Sequence, residues 1–178
     1  MSDIKATGKE RIDVIKYMKD LITNYEENKG KGLYLHGSFG SGKSYLMAAL
    51  INELSSKYKK EAVIMYYPTL LKTLKSSFND EFDMMLEKLH KCDILLIDDI
   101  GAERNTEWSR DEILSPILQY RMDNELLTFF TSNLNLEELE SHLSKTSGVE
   151  DKVKGRRILE RIKFLTKDIE LTGKNMRN

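Results

Sequence analysis

Residues 37–44 read Gly37-Ser38-Phe39-Gly40-Ser41-Gly42-Lys43-Ser44 and fill every fixed position of the phosphate-binding pattern Gly-x-x-x-x-Gly-Lys-[Ser/Thr]. The apolar run before them, residues 32–36, is typical of a buried strand, and residues 45–54 after them strongly favour a helix. This order of strand, loop and helix is the context that the pattern requires. The alternative is a Gly/Ser-rich turn before an ordinary helix, and the matching flanks make it much the weaker interpretation.

Each part of this loop has a physical role in holding phosphate. Its three glycines allow a tight turn whose N–H groups point inward, and the following helix adds the positive end of its dipole. Lys43 is expected to reach the β- and γ-phosphates of a nucleotide, and Ser44 is expected to hold Mg²⁺. The loop therefore predicts phosphate binding, while a transferase, a switch and a motor all remain open.

Composition indicates one globular domain and excludes several other classes of protein. The chain has 178 residues, of which 40% are hydrophobic and 32% are charged, with a formal net charge of -1. It contains neither an apolar run of the ~18 residues that a membrane span needs nor the apolar core of a signal peptide, so we expect a cytoplasmic protein. The single cysteine, Cys92, excludes an internal disulfide and a cysteine-cluster zinc site, and we expect it in the core.

A second informative stretch ends in two carboxylates. Residues 94–97 are consecutive apolar residues, as in a strand buried on both faces, and Asp98 and Asp99 follow them. An interior parallel strand can place an acidic side chain only at its C-terminal tip, where the ligand crevice opens. Asp98 therefore suits Mg²⁺ binding through the water shell of the ion, and Asp99 suits orienting or polarising an attacking water. Two exposed aspartates that begin a turn are the alternative.

The remaining pattern alternates helices with strands. Helices are predicted over about 8–28 and through Pro116, which should bend the second helix or end its first half. Residues 126–131 and 167–171 are predicted as further strands. Asn133 follows the first of these, where its amide could bind a water and the γ-phosphate together, and a plain turn asparagine is the alternative.

Basic and aromatic side chains recur after the predicted strand over residues 61–67. Lys72, Lys75 and Phe78 occupy neighbouring positions of the helix predicted over 69–78. Such a mixture can follow a nucleic-acid backbone and stack on a base. The alternative is a solvated lysine face with Phe78 in the core, so the residues alone leave DNA contact open.

The order of these elements and motifs resembles that of an AAA+ ATPase, and within that group it resembles the bacterial replicative helicase loaders of the DnaC/DnaI type. The resemblance runs from about residue 30 to the C-terminus, and the following stretches carry it: Asp98-Asp99-Ile100-Gly101-Ala102-Glu103, Thr106-x-Trp108-x-Arg110-Asp111-Glu112, Ile117-Leu118-Gln119-Tyr120-Arg121-Met122, Thr131-Ser132-Asn133 and Arg157-Ile-Leu-Glu-Arg161-Ile162. It implies an α/β fold, an AAA+ P-loop NTPase core with a parallel five-stranded sheet in the order 5-1-4-3-2, flanked by helices and without a C-terminal helical lid. It also implies an N-terminal helix and linker over residues 1–30 and an ATPase domain over residues 31–178.

The resemblance implies a role for each residue of the nucleotide site. Residues 37–44 would be the Walker A loop, Asp98 and Asp99 the Walker B carboxylates, and Asn133 the sensor of the γ-phosphate. Most AAA+ proteins have glutamate where this chain has Asp99. Because aspartate is one methylene shorter, we expect weak activation of the attacking water.

The resemblance also implies partners. Arg161 would be the arginine finger that reaches the γ-phosphate held by a neighbouring subunit, with Arg157 as its assistant. In this family ATP-bound subunits associate, bind single-stranded DNA and help to place a DnaB-type helicase on it, and the helices after residue 67 match an insertion that contributes to DNA contact. The implied function is ATP-dependent helicase loading in replication initiation, with ATP or ADP and Mg²⁺ as cofactors, slow hydrolysis completed by self-association, and no membrane partner. The alternatives are the related ATPase that assists transposases and, from other classes, a P-loop kinase of a small metabolite and a nucleotide-gated scaffold without useful ATPase activity.

Overall fold

The computed structural model describes residues 9–28, 30–77 and 79–172. Phe78, one of the predicted DNA-contact residues, lies outside these ranges. None of the helices in the described ranges is both long and apolar enough to cross a membrane.

Parallel strands form a single sheet through the centre of the described chain. They are β1 (Gly32–His36), β2 (Ala62–Tyr66), β3 (Ile94–Asp98), β4 (Leu127–Ser132) and β5 (Thr166–Glu170). Their order is β2-β3-β4-β1-β5, which is the predicted order read from the opposite edge, so the predicted fold class is confirmed. The inner strands β3, β4 and β1 are buried along nearly their whole length, as their unbroken apolar runs predict.

Helices cover both faces of the sheet. They are α1 (Lys9–Thr23), α2 (Lys43–Tyr58), α3 (Tyr67–Ser76), α4 (Asn79–Lys91), α5 (Ser115–Asp123), α6 (Leu136–Ser144) and α7 (Lys152–Leu165). One apolar cluster joins α1 and α2 to the face of β1 that carries Leu33 and Leu35. The other cluster joins helices α3, α4, α5, α6 and α7 to the opposite face of β1, which carries Tyr34. In the described part of the chain, which stops at residue 172, no helix follows β5.

Both prolines lie in the first turn of a helix. The strand predicted over 61–67 ends at Tyr66, and α3 begins one residue before Pro68. Pro116 was expected to bend its helix or end the first half, and the structure shows a π-helical segment, Trp108–Leu114, that gives way to α5 immediately before it. The first turn tolerates proline because the N–H groups there have no partner within the helix.

A buried arginine organises the connection between α4 and β3. Arg121 is fully buried, and its guanidinium donates hydrogen bonds to the carbonyl oxygens of Leu89, Cys92 and Leu127, at 3.1, 2.9 and 2.7 Å. It thereby satisfies carbonyl groups at the end of α4 that have no partner within the helix. Cys92 itself is buried and free, which confirms its predicted place in the core, and burial raises the pKa of its thiol.

Candidate active site

The carboxyl ends of β1, β3 and β4 meet at one edge of the sheet, and this edge carries the predicted phosphate site. Residues 37–44 follow β1, Asp98 and Asp99 end or follow β3, and Asn133 follows β4. Parallel pairing of β1 with β4, and of β3 with β4, brings these ends side by side. Segments that are far apart along the chain therefore form one polar site at this edge.

The loop over residues 37–44 has the backbone conformation that only glycine adopts readily. Gly37, Gly40 and Gly42 have φ angles of 131°, 73° and 88°. A Cβ at Gly37 would lie 2.3 Å from the carbonyl oxygen of Leu171, so a side chain there would also clash with the backbone after β5. The loop thus depends on glycine for both its curvature and its close approach to neighbouring backbone.

The beginning of α2 offers the donors that a phosphate needs. Gly42 is the N-cap residue, and no side chain caps the first turn of this 16-residue helix. Backbone N–H groups at the start of a helix are donors for an anion, and the helix dipole favours negative charge at the same place. The donor set of the site fits the phosphates of a nucleotide.

Lys43 lies at the centre of the site and is only 7% exposed. Its Nζ donates hydrogen bonds to the carbonyl oxygens of Gly37 at 2.9 Å and Ser38 at 2.8 Å, and to Oδ1 of Asn133 at 2.9 Å. The ammonium group is therefore held against the loop and against the end of β4 at once. A phosphate bound in the loop would face a cation that is already in position.

Asp99 is held in place from two sides. Its Oδ1 accepts a hydrogen bond from Nδ2 of Asn133 at 2.9 Å, and its Oδ2 accepts one from the hydroxyl of Tyr66 at 3.2 Å. The backbone of Asp99 is in the left-handed region, with φ of 61°, which aspartate tolerates better than most residues. Lys43, Asn133, Asp99 and Tyr66 thus form a continuous hydrogen-bonded chain across the site.

Thr131 orients the other carboxylate. Its hydroxyl donates to Oδ1 of Asp98 at 2.6 Å and accepts from the backbone N–H of Asp99 at 2.9 Å. Asp98 is half-buried and Ser44 is exposed, so both lie where an ion could reach them. No group of three or more His, Cys, Asp or Glu residues able to hold a metal occurs among the described residues. Mg²⁺ in nucleotide sites takes few protein ligands besides phosphates and waters, which is the set that Ser44 and Asp98 fit.

The N-terminal helix also contacts the phosphate loop. Nη1 of Arg11, a buried residue of α1, donates to the carbonyl oxygen of Ser41 at 3.1 Å. The carboxylate of Glu10 accepts hydrogen bonds from the backbone N–H and the hydroxyl of Thr172. Helix α1 therefore joins the phosphate loop to the segment that follows β5.

Arg157 and Arg161 lie on α7, and the hydrogen bonds of Arg161 go to residues other than Lys43, Asn133 and Asp99. Nε of Arg161 donates to Oε1 of Gln119 at 2.9 Å, and its Nη1 donates to Oγ of Ser115 at 2.7 Å. Both partners belong to α5, and Arg157 is exposed. The structure brings Lys43, Asp99 and Asn133 together but does not join the two arginines to them.

The predicted DNA-contact residues lie on the surface of α3. Lys72 and Lys75 are exposed, and Nζ of Lys75 lies 5.3 Å from the ring centroid of Trp108. A cation over an indole face is a favourable pair that also keeps the lysine accessible to solvent.

Sequence reasoning missed Tyr66, Thr131 and Arg11 as parts of this site. Tyr66 ends β2, and Thr131 lies near the end of β4, so the parallel order of the strands already placed both near the site edge. Nothing in the sequence around Arg11 distinguishes it from the other charged residues of an amphipathic helix.

Comparison with known proteins agrees with this geometry. The family model of the bacterial DnaA ATPase domain matches residues 14–150. The chain belongs to this ATPase family. The matched range includes the phosphate loop, both aspartates and Asn133. It therefore covers every predicted site residue at the carboxyl ends of β1, β3 and β4.

Two relatives of this chain are named as replicative helicase loaders. The replicative helicase loader DnaI of Bacillus subtilis (strain 168) is 40% identical over 171 residues, which cover 94% of this chain and 55% of that protein. The replicative helicase loader DnaC of Escherichia coli (strain K12) is 26% identical over 157 residues, which cover 86% of this chain and 58% of that protein. A crystal structure of DnaI has 44% identity and a TM-score of 0.86, and the match covers 97% of this chain and 90% of that one. The predicted resemblance is confirmed, and the chain spans about half the length of the curated relatives it matches.

Proposed function

We propose that this DnaA-type ATPase domain acts in the ATP-dependent loading of a DnaB-type replicative helicase onto single-stranded DNA, in the cytoplasm, during replication initiation. The observation that carries the proposal is the series of hydrogen bonds from Lys43 through Asn133 to Asp99. It occurs in a polypeptide that matches the structure of DnaI over 97% of its length. A site that joins the phosphate-binding cation to the Walker B carboxylate has the parts needed to couple nucleotide state to conformation.

Within one chain, the site binds and orients ATP. Lys43 and the N–H groups at the start of α2 hold the phosphates, while Ser44 and Asp98 hold Mg²⁺, the latter through water. The ion supplies neutralisation of charge on the phosphates. Asp99 orients the attacking water, and Asn133 fixes Asp99 relative to Lys43.

Hydrolysis by the isolated chain is weak in this proposal for two reasons. Asp99 is shorter than the glutamate of most AAA+ proteins, and its Oδ2 already accepts a hydrogen bond from the hydroxyl of Tyr66. A carboxylate engaged in this way has less capacity to polarise a water. Completion of the site then requires a group from another copy.

Arg161 of a second copy supplies that group, with Arg157 beside it. A guanidinium placed at the γ-phosphate offsets the negative charge that spreads over the transferring phosphoryl group. The position of Arg161 on α7, bonded to α5 rather than to the residues of its own site, supports an action on a neighbour. ATP binding would thereby control self-association.

Contact with single-stranded DNA falls to Lys72 and Lys75 on α3. Two exposed lysines contribute affinity mainly by releasing counterions from phosphates, so binding should weaken steeply as salt concentration rises. Replacing both lysines by alanine should lower the affinity for single-stranded DNA and reduce the slope of its salt dependence by about two charges. The double replacement of exposed Lys16 and Lys19 on α1 is the matched control, and an equal loss in that control would contradict the assignment.

The division of the chain into a linker over residues 1–30 and an ATPase domain over 31–178 stays a proposal. Helix α1 packs against α2 through Val14, Met18 and Leu21, which belong to the same buried cluster as β1. A chain that starts at residue 31 would expose that apolar surface. Comparing the thermal unfolding of the two lengths tests whether α1 is a separable linker.

A mixing experiment tests the shared site. The variants Lys43→Ala and Arg161→Ala should each lack ATPase activity. The first has no phosphate-binding cation, and the second has no arginine finger. Mixed together, they should regain activity, since the intact loop of one meets the intact Arg161 of the other. A mixture as inactive as its components would exclude hydrolysis between copies.

A helicase-delivery assay tests the function itself. The chain, ATP, a DnaB-type helicase and protein-coated single-stranded DNA are combined, and unwinding of a downstream duplex is measured. We expect unwinding that depends on the chain and on ATP. Binding to a transposase instead of the helicase would favour the transposition helper, and phosphate transfer to a small metabolite would favour a kinase.

A further inference from the structure

Arg161 lines a groove on the surface of α7 together with two other arginines. The residues around this groove are Val153, Arg156, Arg157, Glu160 and Arg161, and the enclosed volume is about 520 Å³. Within the part of the chain that the structure describes, Arg161 is the one arginine of the three whose side chain donates hydrogen bonds. The fold therefore holds this guanidinium in a fixed direction.

Both acceptors of these hydrogen bonds are uncharged side chains of α5. Nε of Arg161 donates to Oε1 of Gln119 at 2.9 Å, and Nη1 donates to Oγ of Ser115 at 2.7 Å. An amide and a hydroxyl do not neutralise a guanidinium, so Arg161 keeps its full positive charge. Glu160, the carboxylate of the same groove, is paired instead with Lys163 at 3.2 Å.

A third residue of α5 sets the direction of the Gln119 amide. Nε2 of Gln119 donates to Oδ1 of Asp123 at 2.8 Å. Because an ionised carboxylate only accepts hydrogen bonds, this contact turns the NH₂ group toward Asp123 and leaves the amide oxygen for Arg161. Asp123, Gln119 and Arg161 thus form a series of hydrogen bonds that spans two helices.

The guanidinium of Arg161 also retains donors for a ligand. A guanidinium carries N–H donors on all of its nitrogens, and the contacts with α5 use one on Nε and one on Nη1. The hydrogens of Nη2 and the second hydrogen of Nη1 have no acceptor among the described residues. Arg161 therefore has N–H groups for phosphate oxygens besides those that hold it against α5.

We propose that Gln119 and Ser115 are positioning residues for Arg161, which fix the direction of its guanidinium and leave its charge for the γ-phosphate of a second copy. The proposal rests on the proposed function, in which Arg161 acts on a neighbour. A free arginine side chain has many rotamers, and the contacts with α5 restrict them before two copies meet. The transition state then gains a cation that is already oriented.

Removal of the Gln119 amide tests the positioning through turnover. Gln119→Ala should lower phosphate release at high protein concentration by about tenfold, the size expected for a hydrogen bond to a charged group. The ATP affinity of dilute protein should stay within about twofold. Asn124→Ala is the matched control, because it removes an amide at the end of the same helix that bonds to the carbonyl oxygen of Tyr120. Equal losses of turnover in the two variants would assign the effect to the stability of α5 and overturn the inference.

Substitutions that retain an acceptor separate the direction of the guanidinium from its charge. Gln119→Glu keeps the length of the side chain but pairs Arg161 with an anion of its own chain, so turnover should fall while the Nε–H signal of Arg161 in NMR spectra still shows a held side chain. Ser115→Thr keeps the hydroxyl and should keep turnover within about twofold, whereas Ser115→Ala should lower it by about fivefold. Normal turnover in Gln119→Glu would contradict the role given to uncharged acceptors.

A double-substitution cycle separates this inference from the proposed function. If Gln119 acts through Arg161, adding Gln119→Ala to Arg161→Ala should lower single-turnover hydrolysis at high protein concentration no further. Fully additive losses would show that Gln119 acts elsewhere, so the positioning inference would be wrong while the shared site stands. If Arg161→Ala by itself leaves turnover unchanged, or the unaltered chain has no turnover, the shared site is wrong and the inference is wrong with it.

Discussion

The edge of the sheet that carries the phosphate loop and the surface of α7 present polar side chains in opposite ways. At the sheet edge, Lys43, Asn133 and Asp99 bond to one another, so each group is fixed by its neighbours. On α7, Arg161 donates hydrogen bonds to side chains of α5, and Arg157 is exposed. The side chains of the first region are held by contacts within the site, whereas those of the second are proposed to complete a catalytic site against another copy.

This difference separates two functions that a single chain performs. We expect nucleotide binding to be a property of the single copy, because Lys43 already lies beside the loop and only the hydrogen bonds of its ammonium group must be exchanged for bonds to phosphate. In our proposal Arg161 acts on a neighbouring copy, so we expect hydrolysis to be a property of the assembly. Changes at the sheet edge should therefore alter affinity at any protein concentration, and changes on α7 should alter turnover only where copies meet.

Arg161→Ala should give the largest effect on turnover and should separate the role of α7 from that of the sheet edge. We expect turnover at high protein concentration to fall by about 10³-fold, the size of the contribution of a finger supplied by a partner, while ATP affinity of dilute protein is unchanged. Steady-state phosphate release checks the first and a nucleotide titration the second. Arg161→Lys keeps the charge without the planar fork and should recover little. Unchanged turnover in the alanine variant would remove Arg161 from the mechanism.

Lys43→Ala changes the sheet edge and should lower the affinity for ATP by about 10²-fold or more. A nearly buried cation paired to a phosphate contributes about 3 kcal/mol, and no other side chain of the described site can replace it. Isothermal titration of dilute protein measures the loss. Lys19→Ala, an exposed lysine of α1, is the control and should bind ATP normally. A lysine-43 variant with normal affinity would contradict the assignment of the loop.

Asn133→Ala should lower turnover by about tenfold to 10²-fold with ATP affinity changed only a few-fold. The amide joins Lys43 to Asp99, and its loss frees the carboxylate from the position in which it orients water. Single-turnover hydrolysis separates this step from binding. Asn135→Ala removes an amide of the same size at the N-cap of α6 and should mainly lower the melting temperature. Equal effects on turnover in both variants would show that Asn133 acts only through stability.

Arg11→Ala should weaken ATP binding by about fivefold, through the backbone of the phosphate loop. Its hydrogen bond to the carbonyl oxygen of Ser41 is charge-assisted and buried, and such bonds contribute about 1.5–3 kcal/mol. A titration at several temperatures measures the loss, and Ile12→Ala, an exposed neighbour, serves as the control. Arg11→Lys should recover part of the affinity. An effect on melting temperature alone would limit Arg11 to anchoring α1.

Tyr66→Phe should give the smallest change, a rise of about twofold to fivefold in basal turnover. Removing the hydroxyl frees Oδ2 of Asp99 from a hydrogen bond that contributes about 1 kcal/mol, so the carboxylate can accept from water instead. Single-turnover measurements on dilute protein check this, with Tyr25→Phe as the control. A fall in turnover would show that Tyr66 supports the active position of Asp99 and would sharpen the description of the sheet edge.

Most of the fold could be predicted from the sequence because its signals are local. The strand, loop and helix around residues 37–44 follow from glycine spacing and an apolar run, and the strand before Asp98 follows from four consecutive apolar residues. The change of helical type before Pro116 was not predicted; residues 113 and 114 of the π-helical segment share a buried cluster with residues of α3 and α7, which are distant in the sequence. The boundary between β2 and α3 also differs from the prediction, since Tyr67 begins the helix although a residue before proline favours an extended conformation.

The sequence by itself determined the phosphate loop, the two carboxylates, Asn133 and the strand order of a DnaA-type ATPase domain, because each of these depends on residues close together in the chain or on a recognisable family pattern. Only the tertiary structure decided that Arg11 contacts the loop, that Tyr66 engages Asp99, and that Arg161 bonds to α5. These contacts join residues 30, 33 and 42 positions apart, whose meeting depends on how helices lie on the sheet. Local sequence sets which groups are present, and packing sets which of them share a site within one chain.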